Sequence, residues 1–291
     1  MSEPRYAIVT AARDEAGVVG YTLASVARQS VPPALWLIVD DGSTDDTWEW
    51  IQAGAHTRPW ILPLRRPRGG TRDTGAGVVA ALTFGLSRLR LADYDFLFVL
   101  DADMVVGPRY YETILEKFRT RPRLGVAAGT VWERRQGRLE PMRGQQFGMI
   151  GALKGWRRQC LEELGGLAPG EGWEGIDSLE AMRRGWEAVT FPDPELRALH
   201  LKPRAQGWRR HGRALHFAGA SPLWVLASGL YHLASRPYVQ AGVEIWLGYL
   251  RARRAGEPQY DAPGFRDFQR RWHLRRLWSL LPARHDPAAR S

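Results

Sequence analysis

The chain has 291 residues, 44% hydrophobic and 25% charged, with 31 Gly and 19 Pro, a globular composition that excludes a disordered or fibrous chain. Cys160 is the single cysteine, so an intrachain disulfide is excluded and a reducing cytoplasm is expected. The net charge of +10 is uneven: residues 1–200 carry 25 Lys+Arg against 26 Asp+Glu, and residues 201–291 carry 16 against 5. An anionic partner, a phospholipid surface or nucleic acid, is therefore expected for the C-terminal third alone.

In chain order, YAIVT (6–10) is the first strand, starting too close to Met1 to leave room for a signal peptide. A helix over 18–29, the strand LWLIV (35–39) and a helix over 44–52 follow. WILPL (60–64) is a weaker strand, 78–89 a helix, and FLFVL (96–100) a strand again. Short runs apolar on both faces, with helices between, predict an α/β fold with a mostly parallel sheet covered on both sides. Ligands of such sheets bind beyond the carboxyl ends of the strands. Those ends are acidic here: Asp14-Glu15 after the first strand, Asp40-Asp41 after the second, and Asp101 and Asp103 after FLFVL.

From 107 to 203 the pattern is mixed, with a helix over 110–119, a strand over 125–131, a helix through 177–184 and a strand over 188–191. After Pro203 strands cease and the chain turns helical, aromatic and arginine-rich, with a tail expected to fray from about Arg284. The expected division is 1–203, split at 106/107 into donor and acceptor halves, and a basic helical region over 204–291.

Asp101-Ala102-Asp103 sets two hard oxygen ligands at a strand end, where a divalent cation can bridge protein and diphosphate. Alone, such a triplet also reads as a solvated acidic turn. In LIVDDGSTDDT (37–47), Ser43 or Thr44 is expected to cap the next helix, which leaves Asp40 as an acceptor for a base or a ribose hydroxyl. Arg65, Arg66, Arg68 and Arg72 lie in a Gly-rich loop before a helix, suited to a phosphate.

Together with the polar turn from Thr10 to Glu15, VDDGSTDDT and LDAD resemble the nucleotide-sugar half of family 2 glycosyltransferases. The resemblance implies the GT-A fold, a Rossmann-like sheet flanked by helices. It also implies transfer from a nucleoside-diphosphate sugar, UDP or GDP, with Mg2+ or Mn2+ as cofactor. By resemblance Asp40 contacts the base, and Thr10, Ala11 and Glu15 lie near the nucleoside. Arg72 meets phosphate, Asp101 and Ala102 meet ribose and diphosphate, and Asp103 with Asp101 binds metal. Asp14 departs from the asparagine frequent in the family. EGWEGIDSLEAMRRGW (171–186) is similar to the acceptor side of a bacterial subgroup making surface polysaccharides or glycolipids. Asp177 is then the general base, with helix capping as its alternative role and Glu174 as the fallback base. His200 in ALHLKP completes the metal site by the same resemblance, its alternative being a structural histidine.

Gln206-Gly-Trp-Arg209-Arg210 and Gln269-Arg270-Arg271-Trp272 each miss the processive Gln-x-x-Arg-Trp pattern, so a non-processive enzyme is expected, and the family resemblance implies an inverting one. The 22 uncharged residues 214–235 are long enough to span a bilayer. Their moderate hydropathy and arginine-rich flanks favour helices in the plane of the surface, beside the alternative of soluble packing. The expected location is cytoplasmic, peripheral on the inner face of the cell membrane. Two other functions fit the sequence: a catalytically idle nucleotide-sugar-binding protein, and nucleic-acid binding through the basic third, for which no motif is present.

Overall fold

The computed structural model describes residues 4–66, 76–142, 151–202, 207–234 and 238–280. The chain divides into two compact units, Met1–Ala205 and Gln206–Ser291. The first unit begins β1 (Tyr6–Ala12), α1 (Val19–Ala27), β2 (Leu35–Asp40), α2 (Thr47–Thr57), β3 (Ile61–Arg65), α3 (Ala76–Leu86) and β4 (Phe96–Val99). It continues through β5 (Met104–Val106), α4 (Tyr110–Thr120), β6 (Leu124–Ala128), β7 (Thr130–Arg135), β8 (Arg138–Pro141) and β9 (Lys154–Arg157). α5 (Arg158–Leu164), α6 (Trp173–Arg183), β10 (Glu187–Thr190) and β11 (Arg197–His200) complete it.

Seven strands form one sheet in the order β10-β6-β9-β4-β1-β2-β3, and β5-β11-β7-β8 form a second. β4, β1, β2 and β3 run parallel, which aligns their carboxyl ends at one edge. β9 lies antiparallel between β4 and β6. The central strands read as unbroken apolar runs because both faces are covered: every residue of β4, and all of β1 except Ala11, is buried. Tyr6 stacks on Tyr111 with ring centroids 4.9 Å apart, and Phe98 meets both edge-on at 5.5 and 5.1 Å. A Cβ at Gly155 would strike the Phe98 ring, which is why β9 carries glycine where it crosses β4.

Two expectations are corrected. The strand predicted over 125–131 is two strands in different sheets, β6 and β7, separated at Gly129. A Cβ at Gly129 would run into the carbonyl of Leu196, so the chain passes there only without a side chain. The helix predicted from 44 begins at Thr47, without a side-chain cap bond. Ser43 and Thr44 instead bind the turn after β1, as detailed below.

The second unit contains α7 (Trp208–Phe217), α8 (Pro222–Leu233), α9 (Gln240–Arg254) and α10 (Phe265–Leu280), with no strand among its described residues. Ser221 caps α8 by accepting from the Trp224 backbone N–H, and Pro222 takes the first helical position. Among the described residues no helix is long and apolar enough to cross a membrane, and the 22-residue uncharged run is divided between α7 and α8. The tail from Arg284 lies outside the described residues.

Candidate active site

The acidic strand ends are locked together by the residues expected to cap a helix. The Asp14 N–H donates to Ser43 Oγ at 3.1 Å, and Thr44 donates its N–H to Asp14 Oδ1 at 2.8 Å. The Glu15 N–H donates to Thr47 Oγ1 at 2.7 Å. This latch holds Asp14 in the left-handed region, φ 54°, a conformation an aspartate tolerates better than most residues. Asp40 ends β2 fully buried, accepting from the Ser43 N–H at 3.1 Å and ion-paired with Arg65 at 3.1 Å. Arg66 pairs with Asp41 at 2.7 Å. The first two arginines of the predicted phosphate cluster therefore sit against the β2 carboxylates, while Arg68 and Arg72 lie outside the described residues.

Thr10 is buried, its Oγ1 accepting from Trp36 Nε1 at 2.8 Å, so its side chain serves the core. Ala11 is half-buried beside it. The Glu15 carboxylate meets Lys202 Nζ at 2.5 Å, and the same ammonium donates to the Asp14 carbonyl at 2.9 Å. Lys202 had no expected role, although it stands two residues beyond His200. It ties the turn after β1 to the segment after β11.

Register assembles the rest. His200 pairs with Met104 on β5 and with Glu133 on β7, and the Leu201 N–H donates to the Asp103 carbonyl at 2.9 Å. Asp103 Oδ2 and His200 Nε2 are thereby 2.9 Å apart. Behind them Glu133 Oε1 faces His200 Nδ1 at 3.7 Å, and its other oxygen takes Arg135 at 2.8 Å. His200 and Arg135 hold the Glu133 carboxyl down to about 2. Asp101 is half-buried, its N–H donating to the Ala152 carbonyl at 2.8 Å, while the Ala102 carbonyl accepts from Thr22 on α1 at 2.7 Å.

The Asp103–His200 pair fits a divalent cation. Neighbouring corners of an octahedron with bonds of about 2.1 Å are about 3.0 Å apart, close to the observed separation. A carboxylate opposite the other ring nitrogen is the usual support of a metal-binding histidine. Among the described residues no group of three His, Cys, Asp or Glu is arranged to hold a metal; of the expected ligands Asp101, Asp103 and His200, the last two are in direct contact.

On the acceptor side, α6 starts at Trp173 with Gly172 as its N-cap, so Asp177 lies inside the helix and caps nothing. Asp177 is only 2% exposed; Oδ1 accepts from the Ala168 N–H at 2.8 Å and Oδ2 is buried without a hydrogen bond. Burial raises its carboxyl to about 7 against the pull of Lys154. Lys154, unremarked in the sequence, is fully buried and lowered by that burial to about 8. Its Nζ donates to Ser178 Oγ at 3.0 Å and to the Glu174 carbonyl, between the rings of Trp156 and Trp173, each 5.5 Å away. Glu174 is half-buried in the first turn, and a Cβ on Gly151 would touch its side chain. Gly151 adjoins Ala152, the residue that holds Asp101.

Comparison with known proteins bears on the family and the fold. An undecaprenyl-phosphate mannosyltransferase from Micrococcus luteus is 35% identical over 94 residues, 32% of this chain. The match takes in 36% of that relative, so the chain spans little more than a third of the length of the relative it matches. A mannosyltransferase from Pyrobaculum calidifontis, solved with GDP-Man and Mn2+, superposes with a TM-score of 0.59 at 18% identity, over 97% of this chain and 89% of that one. Glucosyl-3-phosphoglycerate synthase from Mycobacterium tuberculosis, solved with Mn2+, UDP and glucosyl-3-phosphoglycerate, gives 0.51 at 15% identity over 73% of this chain and 78% of that one. At those identities the likeness establishes the fold, the mixed α/β GT-A architecture. The model of the family described as Glycosyl transferase family 2 matches residues 7–186, more than half of the chain, and the protein belongs to that family.

Proposed function

We propose that the protein is an inverting, metal-dependent, non-processive glycosyltransferase that moves a sugar from a nucleoside-diphosphate donor to a hydroxyl acceptor in polysaccharide or glycolipid synthesis. The observation that carries this reading is the 2.9 Å Asp103–His200 pair where β5 and β11 meet, in the same unit as the buried Asp40 at the end of β2. The Pyrobaculum mannosyltransferase, solved with GDP-Man, supports a sugar nucleotide as donor, and the undecaprenyl-phosphate relative supports a lipid-linked acceptor. The first unit is read as catalytic, acting at the cytoplasmic face of the membrane.

Asp103 and His200 would hold a divalent cation, whose charge neutralises the departing diphosphate. Glu133, which faces His200 Nδ1 at 3.7 Å, would help orient the ring. Asp40, once released from Arg65, accepts from the base. The turn from Thr10 to Glu15 lines the nucleoside through its backbone, since the Thr10 hydroxyl and the Glu15 carboxylate are already committed within the protein. Asp101 takes the ribose, and Arg72 is assigned to the diphosphate.

In a single displacement the acceptor oxygen bonds to the anomeric carbon as the bond to the diphosphate breaks, and the acceptor proton passes to a carboxylate. Glu174 is the better base. It is half-exposed and adjoins the Gly151–Ala152 turn, whereas Asp177, first choice from the sequence, is enclosed and spends one oxygen on Ala168. That enclosure also favours the second reading, a protein that binds a sugar nucleotide without turning it over. Thermal unfolding with UDP-, GDP- and dTDP-sugars, with and without Mn2+, tests the proposal. Stabilisation by one of them only when Mn2+ is present is expected, and stabilisation by none would remove the reading.

A further inference from the structure

α8 and α9 form an antiparallel hairpin whose outer side is apolar. The helices meet at small residues: a Cβ on Gly242 would strike the Gly229 carbonyl, and one on Gly229 would strike the Trp246 ring. Trp246 Nε1 donates to the Val225 carbonyl at 3.1 Å, which completes the antiparallel pairing of 225 with 246 and 229 with 242. Leu230 and Val243 each follow a contact glycine by one residue, and so turn about 100° from the contact line in the direction of chain progress. In antiparallel helices those two rotations point to the same side. One row therefore runs Leu223, Leu226, Leu230 on α8, and the other Val243, Leu247, Leu250 on α9. All six are between 37% and 53% exposed, and α8 contains no Lys, Arg, Asp or Glu at all.

A soluble helical surface exposes charges at such positions, so this face is built to be covered. The charge around it says by what. The α9 row continues at the same spacing into Arg251 and Arg254, both exposed, and residues 201–291 carry 16 Lys+Arg against 5 Asp+Glu. A second copy of the chain docking here would bring two strongly cationic units together, whereas an anionic bilayer satisfies both the leucines and the arginines. Nucleic acid would satisfy only the arginines.

We propose that the α8–α9 hairpin is a membrane-docking face. Leu226, Leu230, Leu247 and Leu250 enter the boundary between headgroups and acyl chains, while Arg251 and Arg254 bind the lipid phosphates. The hairpin lies in the surface rather than crossing it, since no described helix is long and apolar enough to span. This inference is independent of donor chemistry, so its failure and that of the glycosyltransferase reading are separately visible.

Flotation of the whole protein with vesicles containing phosphatidylglycerol, against pure phosphatidylcholine, tests it. The wild type is expected to float with the anionic vesicles, and L226E/L230E to lose binding about tenfold or more. R251E/R254E is expected to abolish the preference for phosphatidylglycerol, as is high salt. Leu230→Cys, labelled with a polarity-sensitive dye, reads insertion without disturbing charge, because Cys160 is buried and escapes the label. A blue shift on anionic vesicles is expected. The proposal falls if the wild type stays unbound, if L226E/L230E floats like the wild type, or if the dye does not shift. It also falls if sedimentation shows a dimer that L226E/L230E converts to monomer, since a second copy would then be the occupant.

Discussion

Lys154→Met separates a buried ammonium and its hydrogen bonds from the hydrophobic scaffold around it. Methionine keeps the stem between Trp156 and Trp173 but loses the bonds to Ser178 Oγ and the Glu174 carbonyl, and leaves the Asp177 carboxyl without its cation. Leaving buried polar groups unsatisfied costs about 1–3 kcal/mol, more where one is charged. For a domain of this size that is a fall of roughly 2–12 °C in Tm. The pH dependence carries the sharper expectation. The Asp177 carboxyl is raised from 3.8 to about 7, so its contribution is most favourable below its unfolded value and fades as pH climbs to 7. Lys154 is lowered from 10.5 to about 8, so it opposes folding below 8 and recovers as pH rises from 8 to 10.5. Without Lys154 the carboxyl rises further, and K154M should lose about 1.4 kcal/mol per pH unit from pH 4 to beyond 7. Urea unfolding at several pH values measures this. K154M/D177N, whose Asn retains an oxygen for the Ala168 N–H, should regain at least half of the loss and show no such slope. A K154M protein as stable as the wild type, or no recovery in the double variant, would refute the pairing.

Three further outcomes are expected. E174Q should lower kcat about 10²- to 10⁴-fold with little change in KM, whereas D177N should leave kcat within a few-fold and act mainly on Tm; the reverse pattern returns the base role to Asp177. D103N should abolish Mn2+-dependent stabilisation by a sugar nucleotide while retaining the fold, as measured by circular dichroism and thermal unfolding. Gly129→Ala should destabilise by more than about 2 kcal/mol, or prevent folding, because its Cβ meets the rigid Leu196 carbonyl rather than a movable side chain.

The central sheet was legible because its strands are buried on both faces, which writes them as continuous apolar runs: β1, β2 and β4 stand within two residues of their expected bounds. β9 and β11 were not. Lys154-Gly-Trp-Arg and Arg197-Ala-Leu-His carry charges, and become strands only through non-local pairing with β4 and β6, or with β5 and β7. The break at Gly129 was hidden for the same reason, since its cause is a carbonyl 67 residues along the chain. Asp103 and His200 could be nominated by resemblance, but Glu133 enters the site through the β7–β11 register, which the local sequence does not state.

Lys154 and Lys202 show where composition misleads. A lone lysine reads as surface, and for Lys154 that reading costs the explanation of α6 altogether: its ammonium binds two α6 groups and faces the Asp177 carboxyl. The same arrangement explains why a carboxylate with the proton affinity of a base need not be one. Burial that lifts Asp177 to about 7 also removes it from any acceptor hydroxyl, and its Oδ1 is occupied by Ala168. Access and affinity have opposite requirements here: the raised carboxyl holds the loop before α6, and Glu174 in the first turn of the same helix is half-exposed. That difference in exposure makes the order of the E174Q and D177N effects on kcat the decisive comparison.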